Sequence, residues 1–166
     1  MECEKPEWIL RRPTVDDAAN IWQLVRDSGI LDENSLYAYL LLCRDFAETC
    51  LVAEHDARPV AFVTGYRPPG RSDSLFVWQI GVHASFHRRG LGLRLLLELV
   101  KNCQSEGPGI QFVEATIASS NVASRRLFHR LADQLGAPLH ESVGFTEEHF
   151  HSSGHEAEPI IRIGPF

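Results

Sequence analysis

The chain has 166 residues, with 16 Lys+Arg against 22 Asp+Glu and a formal net charge of −6. That length fits one domain, residues 1–166, able to bury a core without staples, and 44% hydrophobic with 23% charged residues excludes wholesale disorder. The acidic balance argues against a general nucleic-acid binder, so any polyanionic ligand must be met by local donors rather than by the overall field.

Residues 1–12 carry no apolar run after their charges and do not read as a signal peptide. Trp8–Arg11 reads as a short strand. Thr14 looks like a helix N-cap, with Asp16 and Asp17 in the first turn, where carboxylates favour the dipole. Val15, Ala18, Ile21, Trp22 and Val25 follow at helical spacing, and Ser28-Gly29 stops the helix. Asn34 or Ser35 caps a second helix through Cys43. Cys50–Glu54 and Pro59–Tyr66 are strand-like, joined by a turn at His55–Arg58 and ended by Pro68-Pro69-Gly70. Leu75–Val82 is apolar on both faces and reads as a central strand. Gly90–Asn102 is a Leu-rich helix, too short and too charged around Leu95–Leu97 to span a bilayer. Ile110–Ile117 is a further strand. Asn121–Leu135 is a helix with Val122, Leu127, Phe128 and Leu131 facing inward, and Pro159–Ile163 is a terminal strand. The class is therefore α/β or α+β with a mostly antiparallel sheet. The four cysteines, Cys3, Cys43, Cys50 and Cys103, form no CxxC pair, so neither a zinc ribbon nor a redox motif is signalled. A reduced cytoplasmic compartment is the expectation.

The segment Val82-His83-Ala84-Ser85-Phe86-His87-Arg88-Arg89-Gly90-Leu91-Gly92-Leu93 joins a buried strand to a buried helix through a basic, glycine-bearing turn. Helix N-termini present unpaired N–H groups and partial positive charge, which suits a phosphate. The turn is neither a Walker loop nor a dinucleotide fingerprint. Taken alone, it reads equally well as a solvated basic turn.

This turn resembles the acetyl-CoA pyrophosphate loop of the GNAT N-acetyltransferase superfamily, and Asn121-Val122-Ala123-Ser124-Arg125-Arg126-Leu127-Phe128 resembles the family's Asn-x-x-Ala-x-x-Leu-Tyr helix start. Within that superfamily, Leu10–Thr14, Leu36–Phe46, Phe62–Pro68, Leu75–Gln79 and the His155-Glu156-x-Glu158 tail are similar to the L-2,4-diaminobutyrate acetyltransferases of the ectoine pathway. The resemblance implies a GNAT fold: a mixed, mostly antiparallel sheet splayed between its fourth and fifth strands and flanked by about four helices. It implies acetyl-CoA as co-substrate, a small diamine as acceptor, no metal and a homodimer. It places the cofactor against Ile80, Gly81, Val82, His87, Arg88, Arg89, Gly90, Leu91, Gly92, Leu93, Asn121, Ser124, Arg126 and Phe128. Two positions depart from the pattern: His87 stands where Gln or Arg is usual, and Phe128 stands where many relatives place a proton-donating tyrosine.

Acetyl transfer from a thioester requires a neutral amine, and an aliphatic ammonium titrates near ~10. Glu114, a lone acid within an apolar strand, is the first choice of base; its alternatives are a clamp for the ammonium or a simple ion pair with an arginine. The oxyanion would meet backbone N–H groups near Gly81-Val82 by family resemblance. For the acceptor, candidate contacts are Asp32 (otherwise a helix cap), Tyr37, Tyr39, Trp78 (otherwise core), Thr116, His155 and Glu158. Tyr37 and Tyr39, two apart, cannot share one face of a helix. His149, His151 and His155 invite a metal reading, but their spacing matches no compact zinc pattern. The competing functions are a GNAT enzyme for another small amine such as a polyamine or aminoglycoside, a CoA-binding regulator without turnover, and a metal-binding module on the histidine tail.

Overall fold

The computed structural model describes residues 7–166; Cys3 lies outside them. The chain forms two compact units, one made of residues 1–65 with Gln79–Leu99, the other of Tyr66–Trp78 with Val100–Phe166.

In the first unit the strands are β1 (Ile9–Arg11), β2 (Leu51–His55), β3 (Arg58–Tyr66, to Gly65 here) and the last residues of β4 (Ser74–Val82), in the order β1-β2-β3-β4. Both β1–β2 and β2–β3 are antiparallel. The β2–β3 hairpin closes at His55↔Arg58. Its two central residues, Asp56 and Ala57, have φ of 48° and 61°, the left-handed pair that matches the twist of a two-residue hairpin. Helix α1 (Ala18–Ser28) follows a short 3-10 turn, Val15–Asp17, and stops at left-handed Gly29. Helix α2 (Leu36–Asp45) is capped by Ser35, whose hydroxyl accepts from the Ala38 N–H at 3.3 Å. Ala18, Ile21 and Val25 of α1 pack with Tyr39, Leu42 and Cys43 of α2 on Val52 and Phe62. This is the apolar stripe that the helical spacing demanded. Gly81 is required by the same core, because a Cβ there would sit 2.7 Å from the Phe62 ring.

In the second unit the order is β4-β5-β7-β6, with β5 (Phe112–Thr116), β6 (Leu139–Phe145) and β7 (Glu158–Ile163). β5 runs parallel to β4, and the β5–β7 and β6–β7 pairs are antiparallel, so the strands form the mixed, mostly antiparallel arrangement expected. The β4–β5 ladder covers Ser74↔Phe112, Leu75↔Val113 and Phe76↔Glu114. Among the described residues it goes no further, although β5 continues through Ala115 and Thr116. Helix α4 (Val122–Leu135) begins at Asn121, whose side chain accepts from the Ser124 N–H at 3.2 Å, and ends at left-handed Gly136. The remaining helix, α3 (Leu91–Ser105), has residues in both units, as does β4.

Several expectations need correction. Val122 is 52% exposed, because it is the first residue of α4 and lies off the stripe that buries Phe128 and Leu131. Trp78 is 43% exposed, so it is not core. β6 was not foreseen as a strand: its residues are exposed almost throughout, and no alternation marks it. The histidine tail contains a 3-10 segment over Glu147–Ser153, which was not foreseen. Among the described residues, no helix is long and apolar enough to cross a membrane.

Candidate active site

The turn that precedes α3 is built by its histidines. His83 Nδ1 accepts from the Ser85 N–H at 3.1 Å, which nucleates a short 3-10 turn, Ala84–Phe86. His87 donates through Nε2 to the Val82 carbonyl at 2.7 Å and straps the turn back to the end of β4. That contact accounts for a histidine at this position. Arg88 and Gly90 then take φ of 61° and 74°. Gly90 meets the left-handed region without strain, whereas Arg88 carries the cost of a Cβ there. The carbonyl of Gly90 accepts from the Arg94 N–H at 3.1 Å. Leu91, Gly92 and Leu93 therefore open the helix with N–H groups that have no carbonyl one turn behind them. Such a terminus binds an anion through backbone donors and the helix dipole. Of the two arginines, Arg89 is ion-paired with Glu7 and lies 5.2 Å over the Phe86 ring, while Arg88 is exposed.

A second group in the same unit centres on Tyr39. On α2, Tyr39 is buried and Tyr37 is 67% exposed, as two residues at that spacing must be. The Tyr39 hydroxyl donates to Gln79 Oε1 at 2.8 Å and accepts from Asn34 Nδ2 at 3.3 Å; Gln79 Nε2 donates to the Asp32 carbonyl at 2.7 Å. Burial pushes the Tyr39 hydroxyl above its ordinary pKa, so it stays protonated and keeps donating. This chain fixes the backbone at Asp32. Asp32 itself is exposed and is not the cap of α2, which is Ser35. Ile80, Gly81 and Val82 are half-buried at the end of β4.

The second unit holds two polar clusters. Glu114 is 5% exposed on β5 and is ion-paired with Arg162 directly across on β7 and with Arg71 at 3.1 Å. Arg162 also lies 3.8 Å over the Phe112 ring. Of the readings open for Glu114, the ion pair is present twice over. Further along the strand, Thr116 Oγ1 donates to Glu158 Oε2 at 2.7 Å, and Glu158 Oε1 lies 3.6 Å from His155 Nε2. His155 Nδ1 bonds the Glu156 carbonyl at 2.7 Å, and its ring stacks on Phe150 with centroids 4.0 Å apart. The Ser120 N–H donates to Glu156 Oε1 at 3.0 Å and holds that carboxyl below the usual range. On α4, Asn121 is engaged in its cap, Ser124 supplies the capped N–H, Arg126 is exposed and Phe128 is buried. His149 Nδ1 accepts from the Thr146 N–H and serves the local turn. Among the described residues, the three tail histidines form no ligand group with one another.

Gln79, Arg71, Arg162 and Phe150 were not singled out by sequence. Gln79 and Arg162 had a readable signal, each being the lone polar side chain in an apolar strand. Arg71 and Phe150 had none, because each is placed by a turn.

Residues 15–132 match the model of the acetyltransferase (GNAT) family. An L-2,4-diaminobutyric acid acetyltransferase of Marinococcus halophilus is 44% identical over 158 residues, covering 95% of this chain and 90% of its own. One from Streptomyces coelicolor is 44% identical over 166 residues, covering 99% and 97%. Among solved structures, diaminobutyrate acetyltransferase EctA from Paenibacillus lautus, in complex with its substrate L-2,4-diaminobutyric acid and coenzyme A, superposes with a TM-score of 0.89 at 40% identity over 97% of this chain and 96% of that one. Ard1 from Thermoplasma volcanium, at 16% identity and a TM-score of 0.75, shares the fold.

Proposed function

The chain belongs to the acetyltransferase (GNAT) family, among the L-2,4-diaminobutyric acid acetyltransferases, and from that premise we propose that it moves acetyl from acetyl-CoA to the γ-amine of L-2,4-diaminobutyrate by direct attack of the deprotonated amine on the thioester. The observation that carries this reading is likeness along nearly the whole chain to EctA with substrate and coenzyme A bound, at 40% identity and a TM-score of 0.89. The reading extends to a homodimer in the cytoplasm whose product, Nγ-acetyl-diaminobutyrate, serves ectoine synthesis under osmotic stress.

Each local cluster supports one part of that chemistry. The opening turn of α3, with Gly90, Leu91, Gly92 and Leu93 and with Arg88 beside it, would take the pyrophosphate on backbone N–H groups. The N–H of Val82 would meet the oxyanion as the carbonyl becomes tetrahedral. In the second unit, Glu158 and Thr116 form an acidic, hydrogen-bonded group suited to an ammonium. Phe128 has no proton to give, so the departing thiolate would be protonated by water. Arg89 is already paired with Glu7 and would contribute long-range charge rather than a direct phosphate bond.

The test is product analysis with the purified chain, acetyl-CoA and a panel of amines that includes L-2,4-diaminobutyrate, a polyamine and an aminoglycoside. Mass spectrometry and NMR should show one acetyl on the γ-nitrogen of diaminobutyrate. Turnover of the other amines alone would overturn the substrate, and tight CoA binding with no turnover would mark a regulator. Gly90→Val and Gly92→Val should each abolish CoA binding by calorimetry, since a β-branched residue obstructs the phosphate approach and, at Gly90, cannot hold φ of 74°. Undiminished binding in both would sink the cradle.

A further inference from the structure

The proposed acceptor is an amino acid as well as a diamine, so its carboxylate calls for a cation. The second unit gathers two of them on one acid. Glu114 Oε2 accepts from Arg71 Nη2 at 3.1 Å, and Glu114 Oε1 accepts from Arg162 Nη1. Two guanidinium groups against one carboxylate leave one positive charge over. A guanidinium carries five N–H donors in a planar fork that matches a carboxylate, and Glu114 engages one edge of each fork. The Arg71 and Arg162 side chains are 56% and 33% exposed, whereas Glu114 is buried beneath them, so the forks reach past their acid to solvent. The turn that carries Arg71 is tied down. The Arg71 N–H donates to the Pro68 carbonyl at 3.0 Å, and its carbonyl accepts from the Ser74 N–H at 3.1 Å. Arg67 Nη1 donates to the Ser72 and Pro108 carbonyls at 2.8 Å each.

The neighbours on the sheet complete the pattern. Side chains alternate between the two faces of a strand. Val113, Ala115, Ile161 and Ile163 fill the buried face. Glu114 and Thr116 of β5 therefore share the other face with Arg162 and Glu158 of β7, and the Thr116–Glu158 bond crosses it. Two residues of strand span about 6.6 Å, so excess positive charge stands one side-chain spacing from an acid. A molecule with a carboxylate at one end and an ammonium at the other, joined by a three-carbon chain, is the charge complement of that face.

We propose that Arg71, steadied by Glu114 and with Arg162 beside it, binds the α-carboxylate of the acceptor and so makes the site select diamino acids over plain diamines. The inference rests on the acetyltransferase reading above. A site built to meet a charged group rejects the analogue that lacks it, because its own polar groups are then left without their ligand. For diaminobutyrate that analogue is 1,3-diaminopropane, the same chain without the carboxylate, which would bring only cations to the arginine pair.

The test is steady-state kinetics of wild type and Arg71→Gln with diaminobutyrate and 1,3-diaminopropane, together with calorimetric CoA binding. Where 1,3-diaminopropane turns over too slowly, its affinity is read as a competitive inhibition constant against diaminobutyrate. Loss of a charged hydrogen bond should raise the KM for diaminobutyrate by about 10–100-fold. Such a contact holds ground state and transition state alike, so kcat should stay within about threefold. The affinity for 1,3-diaminopropane and that for CoA should each stay within about threefold as well, since neither uses the contact. Arg71→Lys, which keeps the charge on Glu114 but loses the fork, should fall between wild type and Arg71→Gln for diaminobutyrate alone; it carries the same comparison if Arg71→Gln does not fold. A folded variant with an unchanged KM for diaminobutyrate overturns the proposal, as does an equal loss for both amines, which would mark a purely structural arginine. A loss of CoA affinity with the amine constants unchanged overturns it too, by placing the arginines at a cofactor phosphate. If wild type itself fails to acetylate diaminobutyrate, the functional reading falls instead, so the two failures are distinguishable.

Discussion

Single side chains decide two outcomes. Tyr39→Phe removes a hydroxyl that both donates and accepts inside the core, leaving Gln79 Oε1 and Asn34 Nδ2 short of a partner. Unpaired buried polar groups cost about 1–3 kcal/mol each, so urea denaturation should show a loss in that range. Because Gln79 also holds the Asp32 backbone, the KM for the amine should rise while that for acetyl-CoA does not; a stability equal to wild type would count against the network. Glu114→Gln strips the charge between two arginines. The cost should be about 1–3 kcal/mol, short of a fully buried pair because the Arg71 side chain is 56% exposed, with turnover lowered and CoA affinity nearly unchanged. A CoA affinity that collapses would place Glu114 at the cofactor. These residues also show what sequence can tell about a site. Glu114 stood out as a lone acid in an apolar strand, but Arg162, remote in sequence, reaches it only through the register of neighbouring β7, and Arg71 only through the turn that carries it. His87 looked like a misfit in its motif until its bond to Val82 gave it a structural task.

At the scale of elements, ties between segments carry the argument. Arg11 on β1 holds Asp17, at the entry to α1, through 2.7 and 2.9 Å bonds and Glu54 on β2 through a 2.7 Å bond. Burial alone would raise the Asp17 carboxyl, but the bonds from Arg11 and from the Thr14 N–H outweigh it and hold it below its ordinary pKa. A carboxyl depressed in the folded state stabilises fully above its unfolded value of about 3.9 and loses that stabilisation as pH falls through the lower folded value. Asp17→Asn should therefore be less stable than wild type near neutrality, and the gap should close as pH drops below about 4. Urea midpoints across pH 3–7 would show this, and a gap independent of pH would refute it. Gly144 sets the β6–β7 contact: a Cβ there would lie 2.3 Å from the Glu158 carbonyl, next to the register shift between Ser142 and Phe145. Gly144→Ala should unfold at lower denaturant and, since Glu158 begins β7, lower turnover more than CoA affinity; a variant with wild-type midpoint would mean that β6 is not seated as described. The helices and β2–β5 were legible because spacing, caps and breakers all agreed. β6 was not, because it is a solvent-facing strand held by backbone bonds to β7, and backbone bonds leave no pattern in side chains.

Over the whole molecule, the net charge of −6 is a poor guide to a polyanionic cofactor. The proposed cradle uses the N–H groups that open α3, and their field dies within about a Debye length, ~8 Å at physiological salt. Remote acids are therefore screened from it, and binding does not require a basic chain. The structure presents two compact units. What joins them covalently decides how they unfold. β4 changes unit between Trp78 and Gln79, and α3 changes unit between Leu99 and Val100. An isolated helix shorter than ~12–15 residues is marginal in water, and α3 is only 15 residues long, so neither of its pieces would persist if the other melted. A strand likewise cannot keep its ladder on one half while the other half loses its own. We therefore predict one cooperative transition in scanning calorimetry, with van't Hoff and calorimetric enthalpies equal. Coenzyme A should move that single transition upward as a whole, because a ligand bound only by the folded state stabilises everything that melts with its site. Two resolved transitions, only one of them moved by coenzyme A, would show instead that the units fold independently and that the residues shared through β4 and α3 do not couple them.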